Sequence, residues 1–399
     1  MTVFLLLVFF LSSALVAYSY TIYPLLLKAI AKGRKENQLV YTTDELPDVA
    51  VFFAAYNEIN VIEDKLKSIV ATSYPIEKLK VFVGSDNSTD GTNEKLLQYE
   101  ALYPSLIFFK NFEGRNGKIL IINTLVSDYK KNSNKAELLV FTDANVMFTP
   151  DMFFHLAKHF KNKQIGQVGA NMQNNNTRAE GISHQEKAYI QRENEIKYLQ
   201  GLHNGSMIGA FGACYAVRST LWQPVPENFL VDDFFIGMIV IKANSQSIFE
   251  KKAVCFEDVS NDAQVEFNRK KRMSAGNFQN LKAFTPLLFK PNAAAFHFIS
   301  HKVLRWLTPF LISIAFVASC LLSFHFTLFI AVTSVFFLLI CSPFWDKALE
   351  KCGIHIKLLR FASYFIKMNV ALLAGWIMFI KGIKSSVWTP TKRNINNES

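Results

Sequence analysis

The chain has 399 residues, is 50% hydrophobic, holds 37 Phe and carries a formal net charge of +11. So much Phe in uneven apolar runs argues against an ordinary soluble domain. The five cysteines show no metal spacing, two lie within apolar runs, and they read as small core residues in a reducing compartment. No basic stretch is interleaved with exposed aromatics, so the charge does not point to nucleic acid; Lys and Arg concentrate beside the apolar runs, where they meet anionic lipid.

Thr2 to Leu27 carries no charge and is long enough to cross a bilayer of about 30 Å. Lys28, Lys32, Arg34 and Lys35 follow it. A cleavable signal peptide places its positive charge before the apolar core, so residues 1–27 read as a retained anchor with a cytoplasmic flank. Residues 28–283 then offer enough chain for one large cytoplasmic core. Val49 to Ala54 reads as a strand, and Ile59 to Ala71 as a helix on the spacing of Ile62, Leu66, Ile69 and Val70. Strands are expected at Lys80 to Gly84, Ser105 to Phe109 and Glu137 to Phe141, with a helix from Gly117 to Lys130 and another opened by Pro150. This alternation predicts an α/β fold with a parallel, Rossmann-like sheet. After Ile165 the pattern loosens, as an acceptor-binding half would.

Residues 284–305 are aromatic and mildly basic, and read as an interfacial amphipathic segment. The uncharged run 306–345 suits two spans, joined as a hairpin by a turn near Ser323-Phe324-His325, with both ends cytoplasmic. A basic cytoplasmic loop, 346–360, leads to a third membrane segment, 361–381. Lys367 interrupts that segment and could snorkel to permit a crossing; a re-entrant helix would instead keep the basic tail, 382–399, inside. The tail is read as cytoplasmic.

Three carboxylate clusters follow in order: Ser85-Asp86-Asn87-Ser88-Thr89-Asp90, Thr142-Asp143-Ala144-Asn145 and Asp232-Asp233. The first two each follow a strand, where open α/β sheets bind their ligands. Carboxylates there can hold a divalent cation against phosphate oxygens and can accept a proton from a nucleophile. That chemistry suits group transfer from a diphosphate-activated donor.

With Ala55-Tyr56-Asn57-Glu58, Gly117-Lys118 and these clusters in the same order, the chain resembles the membrane-bound family 2 glycosyltransferases, which include cellulose, hyaluronan and poly-N-acetylglucosamine synthases. The resemblance covers about Val49 to Asn280. It implies a GT-A fold flanked by transmembrane helices, and inverting transfer of a sugar from a nucleotide donor, UDP-linked by preference, to a lipid-linked or glycan acceptor. It further implies Mg²⁺ or Mn²⁺ as cofactor, membrane lipids and an export protein as partners, and a bacterial plasma membrane with the catalytic domain in the cytoplasm. A processive β-glycan synthase is the alternative, and a non-catalytic scaffold or nucleotide sensor the rival from another class.

By that resemblance Tyr56 stacks on the donor base, Glu58 lies nearby, Asp86 accepts the base imide N–H and Lys118 faces the diphosphate. Asp143 and Asn145 hold the metal, although Asn145 offers only a neutral carbonyl where the family usually has a second acid. Asp233 is the general base, with Asp232 beside it. Gly212, Ala213 and Cys214 line the acceptor site, and Arg269 and Arg272 neutralise the leaving diphosphate. Met273 stands where polymerising members carry tryptophan, which weakens the case for processive synthesis. Each residue also has a plainer reading. Glu58, Asp232 and Asp233 suit helix N-termini, Asp90-Gly91 and Asn145 suit turns, Lys118 suits a solvated surface, and the cluster from Arg269 to Arg272 suits a basic patch. Trp388-Thr389-Pro390-Thr391-Lys392-Arg393 also resembles the ends of membrane members of the family.

Overall fold

The computed structural model describes residues 1–132, 136–175, 182–258, 263–383, 385 and 387. In chain order its main elements are α1 (Thr2–Ala17), α2 (Tyr23–Ala31), β1 (Val49–Ala55), α3 (Ile59–Val70), β2 (Leu79–Ser85), α4 (Thr92–Leu102), β3 (Ile107–Asn111), α5 (Lys118–Asn132), β4 (Leu138–Thr142), β5 (Val146–Phe148) and α6 (Met152–Ala157). They continue with β6 (Ile165–Asn175), α7 (Ile182–Leu202), β7 (Cys214–Arg218), α8 (Asp232–Lys242), β8 (Gln246–Asp258), α9 (Ala263–Phe284), α10 (Ala293–His297), α11 (Leu304–Trp306), α12 (Thr308–Leu322), α13 (Thr327–Ile340), α14 (Ser342–Lys351) and α15 (Lys357–Ile380). These form two units: one of residues 30–261, joined by 292–294 and 383–399, and one of residues 1–29, 262–291 and 295–382.

The first unit is built on one sheet of order β3-β2-β1-β4-β7-β6-β8-β5. β1 is buried along its whole length, as a central strand covered on both faces must be. Its side chains split with period two. Val51, Phe53 and Ala55 enter one apolar core, and Ala50, Phe52 and Ala54 enter the other. Removing Phe52 and Phe53 from water contributes about 2–3 kcal/mol each. α3 packs through Ile62, Leu66 and Ile69, while α5 covers β2 so closely that a Cβ on Gly84 would meet Ile121 Cγ2 at 2.3 Å.

β1 to β4 are mutually parallel where they pair, as the alternation predicts. The expectation of a parallel sheet fails at β7, which runs antiparallel to β4 with Thr142 opposite Cys214. Here the long α7 and a loop replace a right-handed crossover, so β7 enters from the edge at which β1, β2 and β4 end. That reversal is what brings the loop before Cys214 to the ligand edge. Pro150 lies two residues ahead of α6 rather than inside it.

In the second unit, the helical stretch Thr2–Ala31 runs 30 residues with a π-turn at Tyr18–Ile22. A second π-turn, Phe298–Val303, faces it, where Ser19 Oγ donates to Ser300 O at 3.0 Å and Tyr23 Oη and His297 Nδ1 lie 2.9 Å apart. Within the segment expected at the membrane surface, His297, Phe298 and His301 are thus buried. The turn between α12 and α13 falls where the sequence placed it. These helices have only 15 and 14 residues, about 22 Å each, and each bends sharply into a neighbour, by 61° and 55°. α15 is continuous over 24 residues, about 36 Å. By length and composition two helices could cross a membrane, or four if each bent pair is one span. The tail motif Trp388 to Arg393 lies outside the described residues.

Candidate active site

The loops after β1 and β2 are laced together. Asn57 accepts the Thr89 N–H at 2.9 Å and donates its own N–H to Ser88 Oγ at 3.1 Å. Asp90 accepts the N–H groups of Ile59 and Thr92, each at 3.1 Å, which is cap and turn chemistry. Glu58 precedes α3, is buried, and donates its N–H to Thr92 Oγ1 at 2.9 Å.

Asp86 directly follows β2 and is completely buried. Its carboxylate accepts Asn116 N–H at 2.5 Å, Arg115 Nε at 3.1 Å and Gly117 N–H at 3.2 Å. The Arg115 guanidinium carbon also lies over Tyr56, 3.3 Å from the ring centroid. Tyr56 and Asp86 therefore belong to one cluster, closed by an arginine that the sequence reading missed. Its only signal was its place three residues ahead of Lys118, a cation in a loop already expected to face phosphate.

Lys118 opens α5 and links the two remaining acid clusters. Its Nζ lies 2.8 Å from Asp143 Oδ1 and 3.2 Å from Asp232 Oδ2. Burial works against the charge on Lys118, but Asp143 and Asp232 outweigh it and raise the pKa above that of an ordinary lysine. The plainer reading, a solvated surface lysine, does not describe this residue. Asp233 opens α8 with Asp232; its Oδ1 accepts the Phe234 N–H at 2.8 Å. Burial and the Asp232 charge raise its pKa to about 6, against the opposing effect of Lys118.

Gly212 lies directly beneath Asp233, for a Cβ added there would stand 3.2 Å from Asp233 Oδ2. Ala213 is buried and its carbonyl accepts Thr142 Oγ1 at 2.7 Å. The Cys214 thiol corrects the expectation that it faces the acceptor: it is 1% exposed, and burial pushes its pKa up to about 12. A core thiol offers a sugar nothing.

Asn145 Nδ2 donates to Glu257 Oε1 at 3.3 Å, leaving its carbonyl as the neutral donor foreseen. Among the described residues no three His, Cys, Asp or Glu side chains converge on a metal-sized position. An open Mg²⁺-type site needs only one or two carboxylates, the rest coming from phosphate and water, and Asp143, 35% exposed at its side chain, fits that need. Lys65, also unforeseen, sits fully buried below this turn, and burial lowers its pKa to about 7. Arg269 and Arg272 lie on α9 in the other unit, where Arg269 Nε is 3.6 Å from Glu266 Oε2.

The family described as Glycosyltransferase like family 2 matches residues 47–276, more than half of the chain and all of the acid clusters. The chain belongs to that family. The chain is 27% identical over 124 residues to beta-monoglucosyldiacylglycerol synthase of Nostoc sp., covering 31% of the chain and 25% of that protein. It is 29% identical over 129 residues to poly-beta-1,6-N-acetyl-D-glucosamine synthase of Staphylococcus aureus, covering 32% of the chain and 29% of that protein. The matched stretch thus spans about a quarter of these relatives. A mannosyltransferase from Pyrobaculum calidifontis, solved with GDP-Man and Mn²⁺, superposes with a TM-score of 0.68 at 19% identity, over 94% of this chain and 99% of that one. The fold of the chain is therefore GT-A, a mixed α/β sheet, with terminal helices apolar enough to span a membrane.

Proposed function

We propose that this glycosyltransferase moves a sugar from a UDP-sugar to a lipid-linked or glycan acceptor, with inversion, on the cytoplasmic face of a bacterial plasma membrane. The observation that carries the reading is the juxtaposition at Lys118, which pairs with the donor-side acid Asp143 and with Asp232, the neighbour of Asp233 at the start of α8. A diphosphate brought to this place meets a lysine, while Asp233 waits beside it with a pKa near the range of a working base.

Tyr56 and Asp86 receive the base. Asp86 holds the N–H groups of Asn116, Arg115 and Gly117 and so fixes Arg115 against Tyr56; the choice of uracil is carried by the family resemblance. Asp143, with the Asn145 carbonyl, would hold Mg²⁺ or Mn²⁺, which when bound neutralises charge on the diphosphate. Asp233 removes the proton from an acceptor hydroxyl as that oxygen attacks the anomeric carbon opposite the nucleotide. The C–O bond to the diphosphate breaks, the nucleoside diphosphate departs with the electron pair, and the product has inverted configuration. Gly212 leaves room for the acceptor against the base. The names of the relatives describe a glucosyldiacylglycerol and a poly-N-acetylglucosamine, which supports lipid or glycan as the acceptor class.

The test is nucleotide release by the detergent-purified chain with Mn²⁺ or Mg²⁺, across UDP- and GDP-sugars, beside Asp233→Asn. Turnover of a UDP-sugar that is lost in the variant is expected. Turnover of GDP-sugars alone overturns the base assignment, and silence with every donor and native lipid overturns the transferase reading.

A further inference from the structure

α3 carries a lysine on its buried stripe. Lys65 follows Ile62 by three residues and precedes Leu66 and Ile69, and no part of it reaches solvent. Burying an amine costs several kcal/mol unless its surroundings are well arranged, and an apolar side chain would fill the same space without that cost. What Lys65 does with its hydrogens is therefore informative. Nζ donates to Thr142 Oγ1 at 3.0 Å and to Val146 O at 2.6 Å, and it stands 3.5 Å from the Phe148 ring centroid.

Thr142 immediately precedes Asp143, and Val146 immediately follows Asn145. One nitrogen thus pins both ends of the turn Asp143-Ala144-Asn145. The network continues, because Thr142 Oγ1 donates to Ala213 O at 2.7 Å. Ala213 adjoins Gly212, whose position packs against Asp233 Oδ2. Two hydrogen bonds therefore connect α3 through the donor-side turn to the loop packed against the base.

We propose that Lys65 is a positioning residue that sets Asp143 against Asp233 by fixing Thr142, Val146 and, through Thr142, Ala213. It touches neither donor nor acceptor. The proposal rests on the reading of Asp143 as the diphosphate-side acid and Asp233 as the base, and it concerns the register between them. Groups that hold a metal-binding residue from behind commonly change metal affinity by about 10–100-fold when removed.

The decisive variant is Lys65→Met, which keeps the length and the apolar packing and removes the donors. Thr142→Val is the second; it keeps the lysine bond to Val146 and cuts the link to Ala213. Three quantities are measured on the full chain in detergent: Mn²⁺ binding in the presence of UDP by electron paramagnetic resonance, the ratio of sugar transfer to donor hydrolysis, and the melting temperature. The expected result is a loss of Mn²⁺ affinity of about tenfold in Lys65→Met, with transfer falling more than hydrolysis. Thr142→Val should move the same way by less, and the double variant should lose less than the two single losses combined.

A purely structural lysine predicts otherwise: a changed melting temperature with unchanged Mn²⁺ affinity and unchanged partition in the folded protein. That result overturns the proposal. If Lys65→Met does not fold, Thr142→Val decides, and a wild-type partition in it has the same force. A wild-type chain that binds no Mn²⁺ with UDP overturns the assignment of the turn, a different failure from wild-type binding that both variants share.

Discussion

Asp233 has to be ionised to take a proton, yet burial and the neighbouring Asp232 raise its pKa to about 6. The protonated form predominates below that value, so transfer should fall about tenfold per pH unit below about 6 and level off above it. The pH dependence of kcat/KM checks this, and Asp233→Asn should lose about 10²–10⁴ in rate. Asp232→Asn removes the like charge, so the acid limb of its residual activity should move to lower pH; a limb that stays in place would show that Asp232 does not set it. Arg115 gives a separable prediction. Arg115→Ala removes the cover from Tyr56 and one partner from Asp86, contacts worth about 1–2 kcal/mol. The KM for donor should rise about tenfold while kcat changes little. Much of this site was legible, because Asp86, Asp143 and Asp233 are charges placed at strand ends or a helix start. Arg115 and Lys65 were not. The first acts by covering another side chain, and the second sits on a helix stripe where sequence shows only an interruption of apolar spacing.

At the scale of elements, the alternation of β-rich and helical runs announced the parallel half of the sheet, since each parallel strand needs a crossover that leaves its own periodic signature. β7 left no such mark. Its direction depends on which edge the chain enters from after α7, and that is decided by packing rather than by a local pattern. Helix contacts are equally silent in sequence. α9 and α15 meet at Gly375, where an added Cβ would lie 2.4 Å from Lys271 O and 2.4 Å from Ser274 Cβ, and Ser274 Oγ donates to Leu372 O at 2.8 Å. No side chain fits there without separating the helices. Gly375→Val should therefore destabilise the unit by about 1–3 kcal/mol, seen as a lower melting temperature of the full chain in detergent. A melting temperature equal to wild type would mean that the two helices do not hold this contact.

For the whole molecule, the charge of +11 takes its meaning from where it lies along the chain. Positive side chains beside apolar runs mark the cytoplasmic side, and Lys28, Lys32, Arg34 and Lys35 flank the end of the first run as Lys347, Lys351, Lys357 and Arg360 flank the second. We propose that both flanks lie inside, so that the segment from α12 to α13 enters and returns on the same face. The two helices, of 15 and 14 residues, are about 22 Å each and are joined by a tight turn. Cys352 reports on the arrangement directly, because it is exposed and sits between Lys351 and Gly353 in the second basic flank. In a chain whose only cysteine is Cys352, a membrane-impermeant maleimide should leave intact cells unlabelled and should label inverted vesicles. Cys214 and Cys255 are buried, so restoring them should add no label until the protein is denatured. Labelling of Cys352 in intact cells would put residues 346–360 outside, so that the chain crosses once more between the two flanks and the hairpin does not return.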